Sequence, residues 1–571
     1  MELNDFRGSL LFPPDSNPED ALRPLAGETV RDLGLTELSI RLSRNGVQPA
    51  RVLEILSSPA IDSDVIRYRQ DIFSDFYRSQ TMFDAFASVI PKIEEISLFA
   101  ETRKDSRSPL QETIWRLGEL ELYVDCIETL AAGFSRATEE IRSVGLTLFR
   151  SYIEATTSSP KFSNMRDELP KLRAGLRKKQ SVTIGVNLDE RLRPVEATLL
   201  SINEFTFREQ AMLPRIFGVG RDDEFVTSAP MHSSPVPESY AREPHRKFPL
   251  SPLFQDLEQL LGATVRPMVH VLNKYLMVNT SILRRLQADV AFFLGAASLF
   301  KELASAGLPL CKPGILSPGD RELRAVNFYN LLLATRLLEK TGKTIPADVG
   351  RDETNRNVKN HIVLNDAELD SEARLQILTG PNQGGKTTYT QGIGILQVLA
   401  QCGLYVPAES TTLSPADEIV THFPAEEKGQ LATGRLGEEA QRFAAIFETI
   451  TERSMVLLNE SLASTSPGEG EYLAEDIVRA LSVLGARGIF ATHLHGLADR
   501  VAELNDSTDG RSRLGSLVAG VEERLDSAAA IRTFHIRKGA PAGKSFASDI
   551  ASQYGISFEQ LTDRLRRRKL L

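Results

Sequence analysis

The sequence is short of several things, and each shortage excludes a class. Three cysteines, Cys126, Cys311 and Cys402, stand far apart in 571 residues. No two have metal-ligand spacing, and three scattered thiols build no disulfide framework. A reducing, cytoplasmic setting suits them. Long hydrophobic runs are missing too. The most apolar stretch, residues 290–300, is too short to span a bilayer. The opening residues MELNDFRGSLLFPPDSNPED have no basic segment ahead of an apolar one, so no signal peptide is expected. Surplus positive charge is also lacking. Lys+Arg 67 against Asp+Glu 76 leaves −9, which excludes a uniformly basic nucleic-acid coat but not a local basic patch. There is one tryptophan, Trp115, expected in a core, and no basic–aromatic interleaving of the kind that stacks single strands. No fixed period marks a solenoid.

What is present is ordinary globular material, 42% hydrophobic and 25% charged. The length leaves room for about three to five domains. Residues 24–179 are dense in helix formers. Leu53 and Leu56, then Ile61, Val65 and Ile66 beyond Pro59, fall at helical spacing. A longer stripe covers 127–155 through Leu130, Phe134, Ile141, Leu146, Phe149 and Ile153, with Pro170 as punctuation beyond it. The texture changes at Ser181. Val182, Ile184 and Val186 alternate with small or polar residues, a turn follows at Asp189 and Glu190, and 195–202 supplies a second strand. Residues 218–252 are polar and proline-rich, a mobile loop. A helical stripe resumes at Phe254 and continues to Leu303. After about Phe328, short apolar runs at 375–378, 455–458 and 489–491 each meet a polar or glycine loop. Such runs read as buried parallel strands with function at their carboxyl ends. The predicted fold class is multidomain: a mainly α-helical region with a small β-rich insertion, then an α/β P-loop NTPase. The boundaries are 1–180, 181–252, 253–327 and 328–571.

The strongest motif is Gly380, Pro381, Asn382, Gln383, Gly384, Gly385, Lys386 and Thr387, which fits the phosphate-loop pattern throughout. An apolar run precedes it and a helical stretch opens at Thr388, which joins the expected nucleotide-binding residues. Glycines let backbone N–H groups curl around phosphates, Lys386 adds a charge at the β/γ-phosphates, and Thr387 offers a hydroxyl to Mg²⁺. A chance glycine turn would lack that context. A second apolar run ends in Asn459 and Glu460. Two acids are usual at such a strand end, one for Mg²⁺ and one for water. Here Asn459 offers only a neutral amide, while Glu460 keeps the general-base position. A third run ends at Thr492 and His493, where an imidazole can hydrogen-bond the attacking water or the γ-phosphate. The expected catalytic residues are therefore Lys386, Glu460 and His493, and the metal ligands Thr387, Asn459 and Glu460. His495 has no comparable context.

These residues resemble the MutS mismatch-repair ATPase family. The likeness is dense over 361–571. GPNQGGKTT looks like that family's GPNMGGKST, GLYVPAES like its GSYVPA element, LATGR like LASGRST, NESLASTS like DEIGRGTS, FATHLHGL like FATHYFEL, and GKSFASDIA like its late GxSYGIxVA motif. The helical half resembles core and lever domains, and the β-rich insertion stands where a DNA-gripping clamp would be inserted. The resemblance implies ATP and Mg²⁺ as cofactors, a homodimer, and double-stranded DNA, mismatched or structured, as partner. It implies that Thr433, Gly434 and Arg435 of one subunit cap the other's γ-phosphate, that a segment near Ile362 holds adenine, and that the C-terminal helices dimerise. Leu436 departs from the signature pattern, as Asn459 departs from its own. The resemblance also implies a shortened member without mismatch-reading and connector domains. Arg173, Arg177, Lys178, Lys179, Arg191 and Arg193 are candidate DNA-phosphate contacts; a solvated helix end with turn arginines explains them equally well. The arginines at 564–568 complement a terminal helix dipole. The expected function is an ATP-switched DNA clamp in mismatch repair or related DNA maintenance. The alternatives are an ATPase on branched DNA or the ribosome, and a nucleotide-gated clamp with little turnover.

Overall fold

A computed structural model describes residues 9–43, 48–104, 109–177, 181–188, 190, 194–205, 268–275, 278–344, 358–424, 434–462, 465–522, 531–540 and 558–568. Two compact units divide the chain: Met1–Ile90, Ala132–Tyr152 and Arg285–Leu571 form the first, Pro91–Ala131 and Ile153–Arg284 the second. The chain is mostly helical with mixed sheets. No helix among the described residues is long and apolar enough to cross a membrane.

The first unit is built on a six-stranded sheet, ordered β12-β11-β6-β10-β9-β8. Its strands are β6 (Leu375–Thr379), β8 (Ile419–His422), β9 (Met455–Asn459), β10 (Arg487–Ala491), β11 (Leu514–Glu522) and β12 (Ile531–Lys538). All pair in parallel except β11 with β12. Every residue of β6, β9 and β10 is buried. Strands covered on both faces read as unbroken apolar runs, which is how the sequence presented them. The helix Lys386–Gln401 is buried along nearly its whole length. Gly394 permits this: a Cβ there would meet a Leu33 methyl at 2.5 Å. A second sheet has the order β3-β7-β4-β5, with β3 (Gly314–Ile315), β4 (Leu323–Phe328), β5 (Asn365–Leu369) and β7 (Ser410–Leu413). Residues 314–315 and 323–328 thus form strands ahead of the texture change at 328. β4 alternates buried and exposed positions, so its apolar density is low and the run stays inconspicuous.

The stripe over 127–155 is two helices, Pro109–Arg136 and Val144–Thr157, not one. The Asp75 carboxylate accepts the backbone N–H groups of Arg142 and Ser143, fixing a new start for the second helix. Phe76, Phe86, Phe134 and Phe149 then meet in edge-on and tilted ring contacts.

In the second unit, Pro170 does not end a helix but lies inside Pro160–Arg177. Its ring is exposed, so one N–H bond is lost, while Phe162, Met165 and Leu169 keep the buried stripe. Trp115 is only half-buried. The strands β1 (Ser181–Leu188) and β2 (Pro194–Asn203) pair antiparallel, as the alternation predicts. Arg116 is buried beside Glu119 at 2.9 Å and donates to the Tyr275 carbonyl, and Thr280 donates to Glu119. The proline-rich segment 218–252 and the start of the resumed stripe lie outside the described residues.

Candidate nucleotide site

The carboxyl ends of β6, β8, β9 and β10 lie along one edge of the parallel sheet. Strand β6 leads into Gly380 at φ 139° and the loop closes at Gly385 with φ 92°, which caps the helix Lys386–Gln401. Only glycine adopts both angles without strain, and a Cβ at Gly380 would strike Ala519 at 2.6 Å. The helix start leaves N–H groups aimed out of the loop, an arrangement that favours an anion.

Lys386 is 3% exposed. Its ammonium donates to the carbonyls of Gly380 at 2.9 Å and Pro381 at 3.2 Å, and lies 3.5 Å from His493 Nδ1. Burial pushes its pKa down, and the Glu460 carboxylate opposes that shift. His493 Nε2 is 3.0 Å from Glu460 Oε1. That hydrogen bond holds the Glu460 carboxyl below the usual carboxylate range; burial opposes it, and the charges of His493 and Lys386 add to it. Thr387 donates to the Asn459 amide oxygen at 3.1 Å. The backbone past β9 is unusual. Glu460 has φ 50° and Leu462 φ 64°, left-handed values that cost non-glycine residues about 1–3 kcal/mol each.

A cavity of about 460 Å³ adjoins the loop. Gln383, Gly384, Gly385, Lys386, Thr387, Thr388, Glu460 and Ile362 line it, so one space gathers eight of the expected residues. Gly380, Pro381 and Asn382 form the rest of the loop; Asn459 and His493 join through the bonds just described. Sequence reasoning missed Phe328, Tyr329 and Phe534, which give the cavity aromatic walls. Phe534 sits in β12 at φ 58°, its carbonyl accepting from Asn365, whose own oxygen takes the Ile536 N–H. No local pattern announces an aromatic held by a partner 169 residues away.

Oxygen donors suit Mg²⁺, which keeps several waters and leans on substrate phosphates. The Thr387 hydroxyl and Asn459 amide oxygen fit that description, with Glu460 beside the same cavity. Among the described residues no cluster of three or more His, Cys, Asp or Glu could hold an ion without such help.

The other expected residues stand apart from this group. Arg173 lies in the second unit, where its guanidinium grips Glu121 at 2.9 Å. The side chain of Arg177, together with Lys178, Lys179, Arg191 and Arg193, lies outside the described residues. So does Thr433. Gly434 and Arg435 open the helix Gly434–Thr449, but the Arg435 side chain is not among those described. The late motif at 543–551 also lies outside.

Comparison with known proteins places the sequence in a family. Residues 376–555 match MutS domain V, and residues 61–306 match the MutS2 N-terminal domain. The chain belongs to the MutS family. Its MutS relatives include the DNA mismatch repair protein Msh6 of Gallus gallus, 31% identical over 38% of this chain and 15% of that protein. The probable DNA mismatch repair protein Msh6 of Drosophila melanogaster is 25% identical over 82% of this chain and 40% of its own length. The endonuclease MutS2 of Thermus thermophilus is 30% identical over 35% of this chain and 25% of its own. This MutS-family chain therefore spans less than half the length of the relatives it matches.

Proposed function

We propose that this MutS-family chain binds ATP with Mg²⁺ and hydrolyses it to switch a dimeric clamp on double-stranded DNA. The observation that carries the ATPase reading is the set Lys386, Glu460 and His493 at hydrogen-bonding distances beside a glycine-capped helix start. The two carbonyls that hold Lys386 are exchangeable partners, and a phosphate oxygen would replace them with a stronger, charge-assisted bond. Loop N–H groups would take the remaining phosphate oxygens. Glu460, kept ionised, orients the attacking water and accepts its proton. His493 holds that carboxylate and reaches the γ-phosphate. Thr387 and Asn459 would hold Mg²⁺, which supplies charge neutralisation at the phosphates. Ile362 and the aromatic wall would take the adenine side.

The wider reading follows the names of the two Msh6 relatives, which tie those proteins to DNA mismatch repair. In it, residues 1–180 and 253–327 act as core and lever, 181–252 as the clamp, and 328–571 as the ATPase with dimerising helices. Thr433, Gly434 and Arg435 cap the partner's γ-phosphate. Arg173, Arg177, Lys178, Lys179, Arg191 and Arg193 meet DNA phosphates. A second reading, a nucleotide-gated clamp with little turnover, is favoured by Asn459, because a neutral amide offsets no Mg²⁺ charge.

Single-turnover hydrolysis separates the two. Glu460→Gln is expected to slow turnover about 100-fold or more, with nucleotide affinity within about twofold of wild type. Equal rates in the two proteins would overturn the enzyme reading in favour of the gate. Duplex, mismatch, junction and RNA competitions with and without ATP test the DNA part. Binding that weakens with salt supports it, and no binding at low salt removes it.

A further inference from the structure

The turn after β9 is held by more than its own chain. Ser461 lies between the left-handed Glu460 and Leu462 and is 3% exposed. Its Oγ is 2.8 Å from His422 Nδ1 and donates to the His422 carbonyl at 3.2 Å. His422 ends β8, and its ring stacks on Phe443 with centroids 4.5 Å apart and planes 21° apart. The Leu462 N–H donates to the Glu439 carboxylate at 2.8 Å. Glu460 donates its own N–H to the Ala491 carbonyl at 2.7 Å.

Glu439 and Phe443 lie one turn apart on the helix Gly434–Thr449. That helix therefore reaches the turn twice: directly through Glu439, and through Phe443, His422 and Ser461. We infer that Ser461, Glu439 and His422 form a clamp that keeps Glu460 facing the phosphate loop and ties its position to the Gly434–Thr449 helix. The inference rests on the reading of Glu460 as the residue that orients water.

The physical argument is conformational. Residues other than glycine relax to negative φ when nothing opposes it. At Glu460 such a change re-aims the Cβ and takes the carboxylate away from His493. The bonds at Ser461 and Leu462 oppose that relaxation on the carboxyl side, and the Ala491 bond opposes it on the amino side. A shift of the helix loosens the Glu439 bond and the His422 stack together, so one motion releases both. Ser461, His422 and Glu439 do not line the cavity and are positioning residues.

The test uses the full chain. Ser461→Ala is expected to lower kcat about ten- to hundred-fold, with affinity for a fluorescent ATP analogue within about twofold of wild type. Ser461→Thr, which keeps the hydroxyl, restores most of the loss. Glu439→Gln, the second variant should Ser461→Ala fail to fold, lowers kcat in the same manner. Wild-type kcat in these variants, or a KM change at constant kcat, overturns the clamp. A wild-type chain that turns over no ATP instead removes the parent reading. Hydrogen exchange then judges the clamp alone: in Ser461→Ala, residues 434–449 and 455–462 speed up together. Faster exchange in 459–462 alone, or in neither, overturns it.

Discussion

Lys386 and Arg487 are both buried cations of the same parallel sheet layer, at opposite strand ends, and they serve different purposes. Lys386 follows the carboxyl end of β6; Arg487 opens β10 at its amino end. Burial lowers the pKa of each. For Arg487 the fall is to about 9, opposed by Asp417 and deepened by Arg374 and Arg321. Arg487 donates to the carbonyls of Ser414 at 2.6 Å and Glu322 at 3.3 Å. Lys386 also bonds two carbonyls, but beside a cavity, with an imidazole and a carboxylate in reach. A buried charge by itself does not mark a site. The difference is whether its partners can be exchanged for a ligand.

Removing each cation is the largest test of that contrast. Arg487→Ala leaves a void and takes one of two donors from each carbonyl, the Ser414 oxygen keeping Gln397 and the Glu322 oxygen keeping the Ser414 N–H. It is expected to cost about 2–5 kcal/mol in urea unfolding. Lys386→Ala removes a desolvated charge that itself lines the cavity. Its stability should stay within about 1 kcal/mol of wild type while nucleotide affinity falls about 100-fold or more. If Arg487→Ala is as stable as wild type and Lys386→Ala is not, the exchangeability of their partners does not separate the two.

The carboxyl end was legible in the sequence because its signals are local. The phosphate-loop spacing lies within eight residues, and β6, β9 and β10 are apolar runs that end where function begins. The amino end was not legible. Arg487 is one charged letter at the first position of a strand, and its partners lie 73 and 165 residues away. Phe534 escaped for the same reason: its place in the cavity wall depends on Asn365. The break at 137–143 depends on Asp75, more than sixty residues earlier. Periodicity reports which face is apolar, not which distant carboxylate starts a new helix. Pro170 shows the converse, since a local breaker rule yields when the ring faces water and the stripe beneath stays buried.

His422 sharpens the comparison, because it stands at the carboxyl end yet is committed to structure like Arg487. Burial, with Arg442 nearby, lowers its pKa to about 4 from 6.5. Below pH 6.5 the unfolded chain therefore takes up a proton that the folded chain refuses until about pH 4. The contribution is intact above 6.5 and is lost as pH falls from 6.5 towards 4. At 1.36 kcal/mol per pH unit the loss is about 3 kcal/mol. Urea midpoints measured across that window should fall in wild type, and His422→Gln should flatten this part of the curve. An identical slope in the variant would assign the acid limb to other groups.

The smallest expected effect concerns Asn459, a neutral amide where a carboxylate could stand. Asn459 is 3% exposed and accepts the Thr387 hydroxyl at 3.1 Å. A carboxylate there would accept the same bond and add a charge toward Mg²⁺. It would also lose solvation and stand next to Glu460, so most of the Coulomb gain is offset. Asn459→Asp is therefore expected to lower the Mg²⁺ concentration for half-maximal turnover by about tenfold, roughly 1.4 kcal/mol. ATP affinity should change by less than about threefold. Complete loss of nucleotide binding would mean that the amide's N–H₂ group, not its neutrality, is what this strand end requires. A Mg²⁺ requirement unchanged by the added charge would place Asn459 with Arg487, as a side chain committed to structure, and leave the ion to Thr387, water and the phosphates.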